Sequence, residues 1–244
     1  MQEGGFDAKI TIENLTAGYG KLEILHNLTL NMQRRAVTAI IGPNGSGKST
    51  LLKAIVGIVK PRAGKILFEG EDISCLRPDK VLRKGIAMVP QGRKVFAHMT
   101  VLENLETGGY TIENRDLLED RLQTIYNIFS VLAERKKQTA GTLSGGEQMQ
   151  LCLARALILK PRVLLLDEPS LGLSPKLIAA VYDKLEEISQ TGIPMVAVEQ
   201  NVRKVLSAAD YVYVLDRGTV RFQGESDALL ADDGMVRRYM GMGL

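Results

Sequence analysis

Gly42-Pro43-Asn44-Gly45-Ser46-Gly47-Lys48-Ser49-Thr50 lies between an apolar β-branched run, Val37–Ile41, and a segment of helical spacing, Lys48–Val59. The order strand, glycine loop, helix decides the fold. Glycines let the backbone curl until several N–H groups converge on one anion. The free N–H groups and the dipole of the following helix favour the same charge. Gly42-x4-Gly47-Lys48-Ser49 therefore fits a phosphate-binding loop. Lys48 supplies a point charge near the β and γ phosphates, and Ser49 offers a hydroxyl to Mg²⁺. Leu51, Leu52, Ile55, Val56 and Val59 form one stripe on the helix. Gly57 reads as a weak spot in it and Pro61 as its end.

Strand-like and helix-like segments alternate over most of the 244 residues. Lys9–Leu15 and Leu22–Leu30 alternate as strands; Lys65–Glu69 and Ile86–Val89 follow the first helix. From Thr100 to about Leu132 the texture turns helical, opened by a capping box of Thr100 with Glu103. Leu117, Leu118, Leu122, Ile125, Ile128 and Phe129 stripe the second helix there, and another helix runs from Ser144 through Leu159. Alternation then returns: Val163–Leu166, a helix Pro175–Ser189, a strand Pro194–Val198 and a helix near Val202–Ala209. Tyr211–Leu215 and Thr219–Phe222 flank a hairpin turn at Asp216-Arg217-Gly218, before a short polar helical tail. The pattern predicts one α/β unit with a parallel core. Residues 1–92 and 161–244 form that core with a strand-rich N-terminal β subdomain, and 93–160 form an inserted helical subdomain.

A second glycine segment, Leu143-Ser144-Gly145-Gly146-Glu147, opens the last helix of the insert. Ser144 and Glu147 have capping-box spacing. Two glycines in the first turn are costly for a helix that needs only a cap, and they suit close approach of the backbone to a ligand. Leu164-Leu165-Leu166-Asp167-Glu168 is a buried-strand run ending in two carboxylates. At the end of such a strand, beside the loop, Asp167 can hold Mg²⁺ directly or through water. Glu168 can serve as general base or orient the attacking water. Together the three segments indicate a chain built around a nucleoside triphosphate.

Composition narrows the class. The net charge is +3, and the basic residues sit in short scattered clusters such as Arg34-Arg35 and Arg135-Lys136-Lys137, which read as solvated faces. There is no Trp and only 5% aromatic residues, which argues against a base-stacking platform for single strands. Nucleic acid is not expected as a partner. Cys75 and Cys152 are far apart and give neither a disulfide framework nor a metal spacing. No signal pattern and no apolar run of membrane-spanning length is visible, so a membrane role must come through a partner.

In order and spacing, the loop, the Leu-Ser-Gly-Gly-Glu segment and the apolar run with Asp-Glu resemble the ATP-binding subunit of an ABC (ATP-binding cassette) transporter, over essentially the whole chain. The resemblance implies that two ATP molecules are sandwiched in a head-to-tail dimer. The Ser144–Glu147 segment of one subunit then caps the γ-phosphate held by the loop of the other. It implies that Tyr19 stacks on adenine, that Gln91 senses Mg²⁺ and water, and that Gln91 hinges the helical insert. It implies Mg²⁺ and ATP as cofactors, with membrane permease subunits and, indirectly, a periplasmic solute-binding protein as partners. The place implied is peripheral, on the cytoplasmic face of the membrane. The second cassette is expected to be a different subunit, with a homodimer as the alternative.

Two positions depart from the general family pattern. Ser174 stands where an Asp is usual, and Gln200 stands where a switch His is usual. Glu-Pro-Ser-Leu-Gly-Leu, Val-Glu-Gln-Asn and Val-Pro-x-Gly-Arg resemble the subgroup that energises uptake of branched-chain amino acids, with relatives for urea or other amides. Gln91 is closer to the general family and to the urea-type members. Gln200 can donate and accept hydrogen bonds at a γ-phosphate without taking up a proton. A soluble ATPase of the same superfamily acting on DNA or ribosomes is the rival of a different class; those relatives usually carry tandem cassettes, zinc modules or long coiled coils, which this chain lacks. A binding module without catalysis is disfavoured by the presence of Lys48, Asp167 and Glu168.

Overall fold

The computed structural model describes residues 10–32, 37–200, 202–231 and 234. Lys9, Arg34, Arg35, Asn201 and the tail beyond Ala231, apart from Gly234, lie outside the described residues. A six-stranded sheet runs in the order β10 (Thr219–Glu225), β9 (Tyr211–Asp216), β3 (Val37–Ile41), β8 (Met195–Glu199), β7 (Val163–Asp167), β6 (Ile86–Val89). The five strands from β9 to β6 are parallel, and β10 returns antiparallel along the edge. Strands buried on both faces read as unbroken apolar runs, and the alternation separates two cores. Leu164 and Leu166 join Ala39, Ile41 and Ala197 on one face; Val163 and Leu165 join Ile40, Val196 and Val198 on the other. Each fully buried Leu stabilises by roughly 1.5–3 kcal/mol.

The first face is covered by α6 (Gly145–Leu157), α7 (Pro175–Ser189) and α8 (Val202–Ala208). The second is covered by α1 (Lys48–Ile55) and by a four-stranded antiparallel sheet. That sheet runs β2 (Leu22–Met32), β1 (Ile10–Tyr19), β4 (Pro61–Phe68), β5 (Glu71–Asp72). The sheet lies within the N-terminal 72 residues as expected, but half of its strands follow α1, so it does not wholly precede the core. Pro61 begins one of these strands and does not end the helix. α1 stops at Ile55 in a Schellman arrangement: Gly57, at φ +76°, donates to the Ala54 carbonyl at 3.1 Å, and Ile58 donates to the Lys53 carbonyl at 2.9 Å. Gly57 is thus a helix stop.

Between β6 and β7 the chain is helical: α3 (Val101–Gly108), α4 (Arg115–Ile128), α5 (Ser130–Glu134), a 3₁₀ turn at Ala140–Thr142, then α6. Thr100 and Glu103 make the expected reciprocal box. The remaining helices are short, α2 (Pro78–Arg83) and α9 (Ser226–Leu230). Among the described residues no helix is long and apolar enough to cross a membrane.

Candidate active site

Because β3, β6, β7 and β8 are parallel, the loops after all four leave from one edge of the sheet. Ligands of open α/β sheets bind at that edge. The loop after β3 is Gly42–Gly47. Gly42 holds φ +152°, and a Cβ there would lie 2.0 Å from the Leu215 carbonyl oxygen. No side chain fits between the loop and β9. The loop is also pinned from the hairpin, since Gly218 N–H donates to the Ser46 carbonyl at 2.9 Å. Ser46 Oγ is buried with no hydrogen-bond partner among the described residues, as befits a group facing a polar ligand.

Lys48 is 4% exposed and its Nζ donates to the carbonyls of Gly42 (2.8 Å) and Pro43 (3.0 Å). Burial pushes its pKa below the usual value, against the opposing pull of Glu168, Asp167 and Glu199. Ser49 Oγ donates to Asp167 Oδ1 at 2.7 Å, joining the helix start to the end of β7. Asp167 is 2% exposed. Burial raises its pKa and Glu168 adds to the rise, while the Ser49 bond, Lys53 and Lys48 oppose it. A buried hydroxyl–carboxylate pair of hard oxygens beside a phosphate loop suits Mg²⁺.

Glu168 occupies the left-handed region at φ +49°, a conformation that costs on the order of 1–3 kcal/mol for a non-glycine residue and concentrates at functional sites. Its N–H donates to the Val198 carbonyl at 2.9 Å. Its carboxylate is gripped from two sides: Gln91 Nε2 donates to Oε2 and Gln200 Nε2 to Oε1, each at 2.7 Å. The three residues named from sequence for hydrolysis thus meet in one cluster, although Gln91 follows β6 and Gln200 follows β8.

At the second glycine segment, Ser144 N–H donates to Glu147 Oε2 at 2.8 Å, and Glu147 N–H donates to Ser144 Oγ at 3.4 Å. The glycines also meet side chains of this chain. A Cβ on Gly145 would lie 2.3 Å from an Arg93 guanidinium nitrogen, and one on Gly146 would lie 2.7 Å from Leu177 Cδ2. Both neighbours are the ends of flexible side chains, so a larger residue at either position would make them shift. No hydrogen bond among the described residues joins Ser144–Glu147 to Gly42–Thr50. Burial raises the Glu147 carboxyl pKa, but the two Ser144 bonds and Arg135 outweigh it and leave it below 4.5. Such a group stabilises above its unfolded pKa and loses that contribution as pH falls. Ser144→Ala should therefore lower stability by about 0.5–2 kcal/mol at neutral pH, read from the urea midpoint, and the deficit should narrow as the pH falls below 4.5.

Tyr19 ends β1 with 46% of its surface exposed. The turn after it is held by Arg62, whose guanidinium donates to the Gly20 carbonyl at 2.5 Å. Ser174 takes the N-cap position of α7, followed by Pro175, and its side chain makes no capping bond. Sequence reading assigned nothing to Glu199. It ends β8 buried, accepting the N–H of Ser170 at 2.9 Å. The available signal was a lone charge closing an apolar strand.

Comparison with known proteins bears on the same segments. The family described as ABC transporter matches residues 25–171. A high-affinity branched-chain amino acid transport ATP-binding protein of Pseudomonas aeruginosa, BraG, is 38% identical over 232 residues, covering 95% of this chain and 99% of that protein. A probable branched-chain amino acid transport ATP-binding protein of Archaeoglobus fulgidus, LivF, is 39% identical over 229 residues, covering 93% and 97%. The crystal structure of an ABC transporter ATP-binding cassette in its ADP conformation superposes with a TM-score of 0.85 at 29% identity, covering 96% of this chain and 99% of that one.

Proposed function

The chain belongs to the ABC transporter ATP-binding family, and from that premise we propose that it is the ATP-hydrolysing subunit of an importer for branched-chain or similar amino acids. The observation that carries the enzymatic part is the Glu168 carboxylate held between Gln91 and Gln200, beside the Ser49–Asp167 pair. In this reading Gly42–Thr50 cradles the phosphates and Lys48 neutralises their charge. Ser49, Asp167 and Gln91 would hold Mg²⁺, which would supply neutralising positive charge to the phosphates. Glu168 takes the proton of the attacking water as its oxygen bonds the γ-phosphorus and the bond to the β,γ-bridging oxygen breaks. The two glutamines keep that carboxylate aimed, and Tyr19 stacks on adenine. The segment Ser144–Glu147 serves ATP held by a second cassette, which we take to be a different subunit.

We divide the chain into a core of 1–92 and 161–244 and a helical subdomain of 93–160. A docking surface for a membrane permease follows from the latter. Phe96, Met99 and Tyr110 are exposed there, and Asn104 fixes the Phe96 backbone through bonds of 2.8 and 3.0 Å. A groove lined by Leu82, Pro90, Tyr110 and Leu159 lies alongside. Docked in this way, the subunit sits on the cytoplasmic face of the membrane, with a periplasmic solute-binding protein delivering to the permease. Similarity to the Pseudomonas and Archaeoglobus relatives supports the amino acid; Gln91 within Val-Pro-x-Gly-Arg supports urea or an amide as the second reading. Purification from its own membranes should bring down permease subunits, with ATPase stimulated by the solute. Recovery of ribosomes or DNA and no membrane protein would overturn the transport reading.

Gln200 cannot titrate, so hydrolysis by the parent should show no inflection from that side chain. Gln200→His should add one near the ordinary imidazole pKa of about 6.5. Identical pH profiles of kcat would show that position 200 does not face the reacting groups.

A further inference from the structure

Glu199 is a buried carboxylate, 2% exposed, that the reaction described above does not use. Its two oxygens are divided between two loops. Oε1 accepts the N–H of Ser170 at 2.9 Å, and Oε2 accepts the N–H of Gln200 at 3.1 Å. Ser170 lies in the segment that leads from Glu168 into α7, while the Gln200 side chain holds Glu168 itself. Burying a carboxylate is expensive unless its oxygens are satisfied, and a β-sheet core could have closed here with an apolar residue. The side chain best suited to accept two backbone N–H groups at once is a carboxylate.

We propose that Glu199 is a positioning residue for ATP hydrolysis, clamping the backbones of Ser170 and Gln200 so that the Gln200 amide meets the general base. This rests on the reading of Glu168 as that base. Glutamine has nearly the same shape but a single acceptor oxygen, so its NH₂ group would face one of the two N–H groups. Loss of this anchor frees Gln200 to shift, and displacements near 1 Å at a reacting centre reach about 100-fold in rate. The sign of the electrostatic effect separates the clamp from a charge effect. Glu199 carries negative charge near Lys48, so its neutralisation cannot weaken phosphate binding.

The test is kinetic, on the full chain purified with the subunits that assemble on it. Glu199→Gln should lower kcat by about 10- to 100-fold with KM for Mg-ATP unchanged or lower. In a Gln200→Ala background the same change should add less than about threefold, because residues acting as one unit are not additive. Should Glu199→Gln fail to fold, Glu199→Asp is the substitute; it keeps the charge but is too short for both N–H groups, and the same kcat-only loss is expected. Parent kcat in either variant, or a full additive loss on Gln200→Ala, overturns the clamp. If Glu168→Gln itself hydrolyses ATP at the parent rate, the reading beneath the proposal falls instead.

Discussion

Glu168→Gln should cut ATP hydrolysis by about 10²–10⁴-fold, the usual share of a general base, while Mg-ATP binding survives. The substitution keeps volume, backbone and burial, so the fold has no reason to change. What changes is the hydrogen-bond sense. The carboxylate accepts from Gln91 Nε2 on one oxygen and from Gln200 Nε2 on the other, both at 2.7 Å. An amide at 168 can satisfy only one of those donors and opposes the other N–H₂ with its own, and it has no basic oxygen to take a proton from water. The phosphate loop and Lys48 are untouched, so the nucleotide still binds. With bound ATP not consumed, two cassettes should stay closed over it, visible as an ATP-dependent dimer in size-exclusion chromatography. Hydrolysis at the parent rate by Glu168→Gln would remove Glu168 from the mechanism.

The parts of this site that were legible in the sequence are those whose physics is local. The Gly42–Ser49 spacing, the apolar run into Asp167-Glu168, and the capping boxes of Thr100–Glu103 and Ser144–Glu147 each depend on residues within a few positions of one another, and each has its expected form. What stayed hidden depends on residues brought together by the sheet. Gly57 reads as a weak helical position until its carbonyl partners are known. Strand β1 runs to Tyr19, past the expected end at Leu15, because irregular pairing around Asn14, at φ +51°, lets it continue. Arg93 lies against Gly145 although it is 52 positions upstream. Glu199 is one acidic residue in a motif until Ser170 and Gln200 are seen on its two oxygens. The gripping of Glu168 by Gln91 and Gln200 needs the parallel order of β6, β7 and β8, which no local pattern encodes.

Lys48→Ala should weaken ATP binding by about 30- to 4,000-fold, the scale of roughly 2–5 kcal/mol seen when one partner of a buried, hydrogen-bonded charge pair is truncated. Three losses add in the same direction. The phosphates lose their nearest ammonium. The Gly42 and Pro43 carbonyls lose the donor that draws the loop over the helix start, at 2.8 and 3.0 Å. The carboxylates of Asp167, Glu168 and Glu199, which Lys48 offsets, are left to repel an incoming anion. Global stability should move far less, since Ala is a better helix former than Lys and leaves the stripe of α1 intact. The pH dependence identifies the cause. The Lys48 pKa in the fold is below 10.5 because of burial, so over the window between that lowered value and 10.5 the unfolded chain binds more protons. Lys48 therefore contributes a term that raises stability with pH there, and Lys48→Ala should remove that term from the parent-minus-variant difference while abolishing most nucleotide binding by isothermal titration. A variant that binds Mg-ATP within threefold of the parent would show that the ammonium does not face the phosphates, and the loop would need another cation.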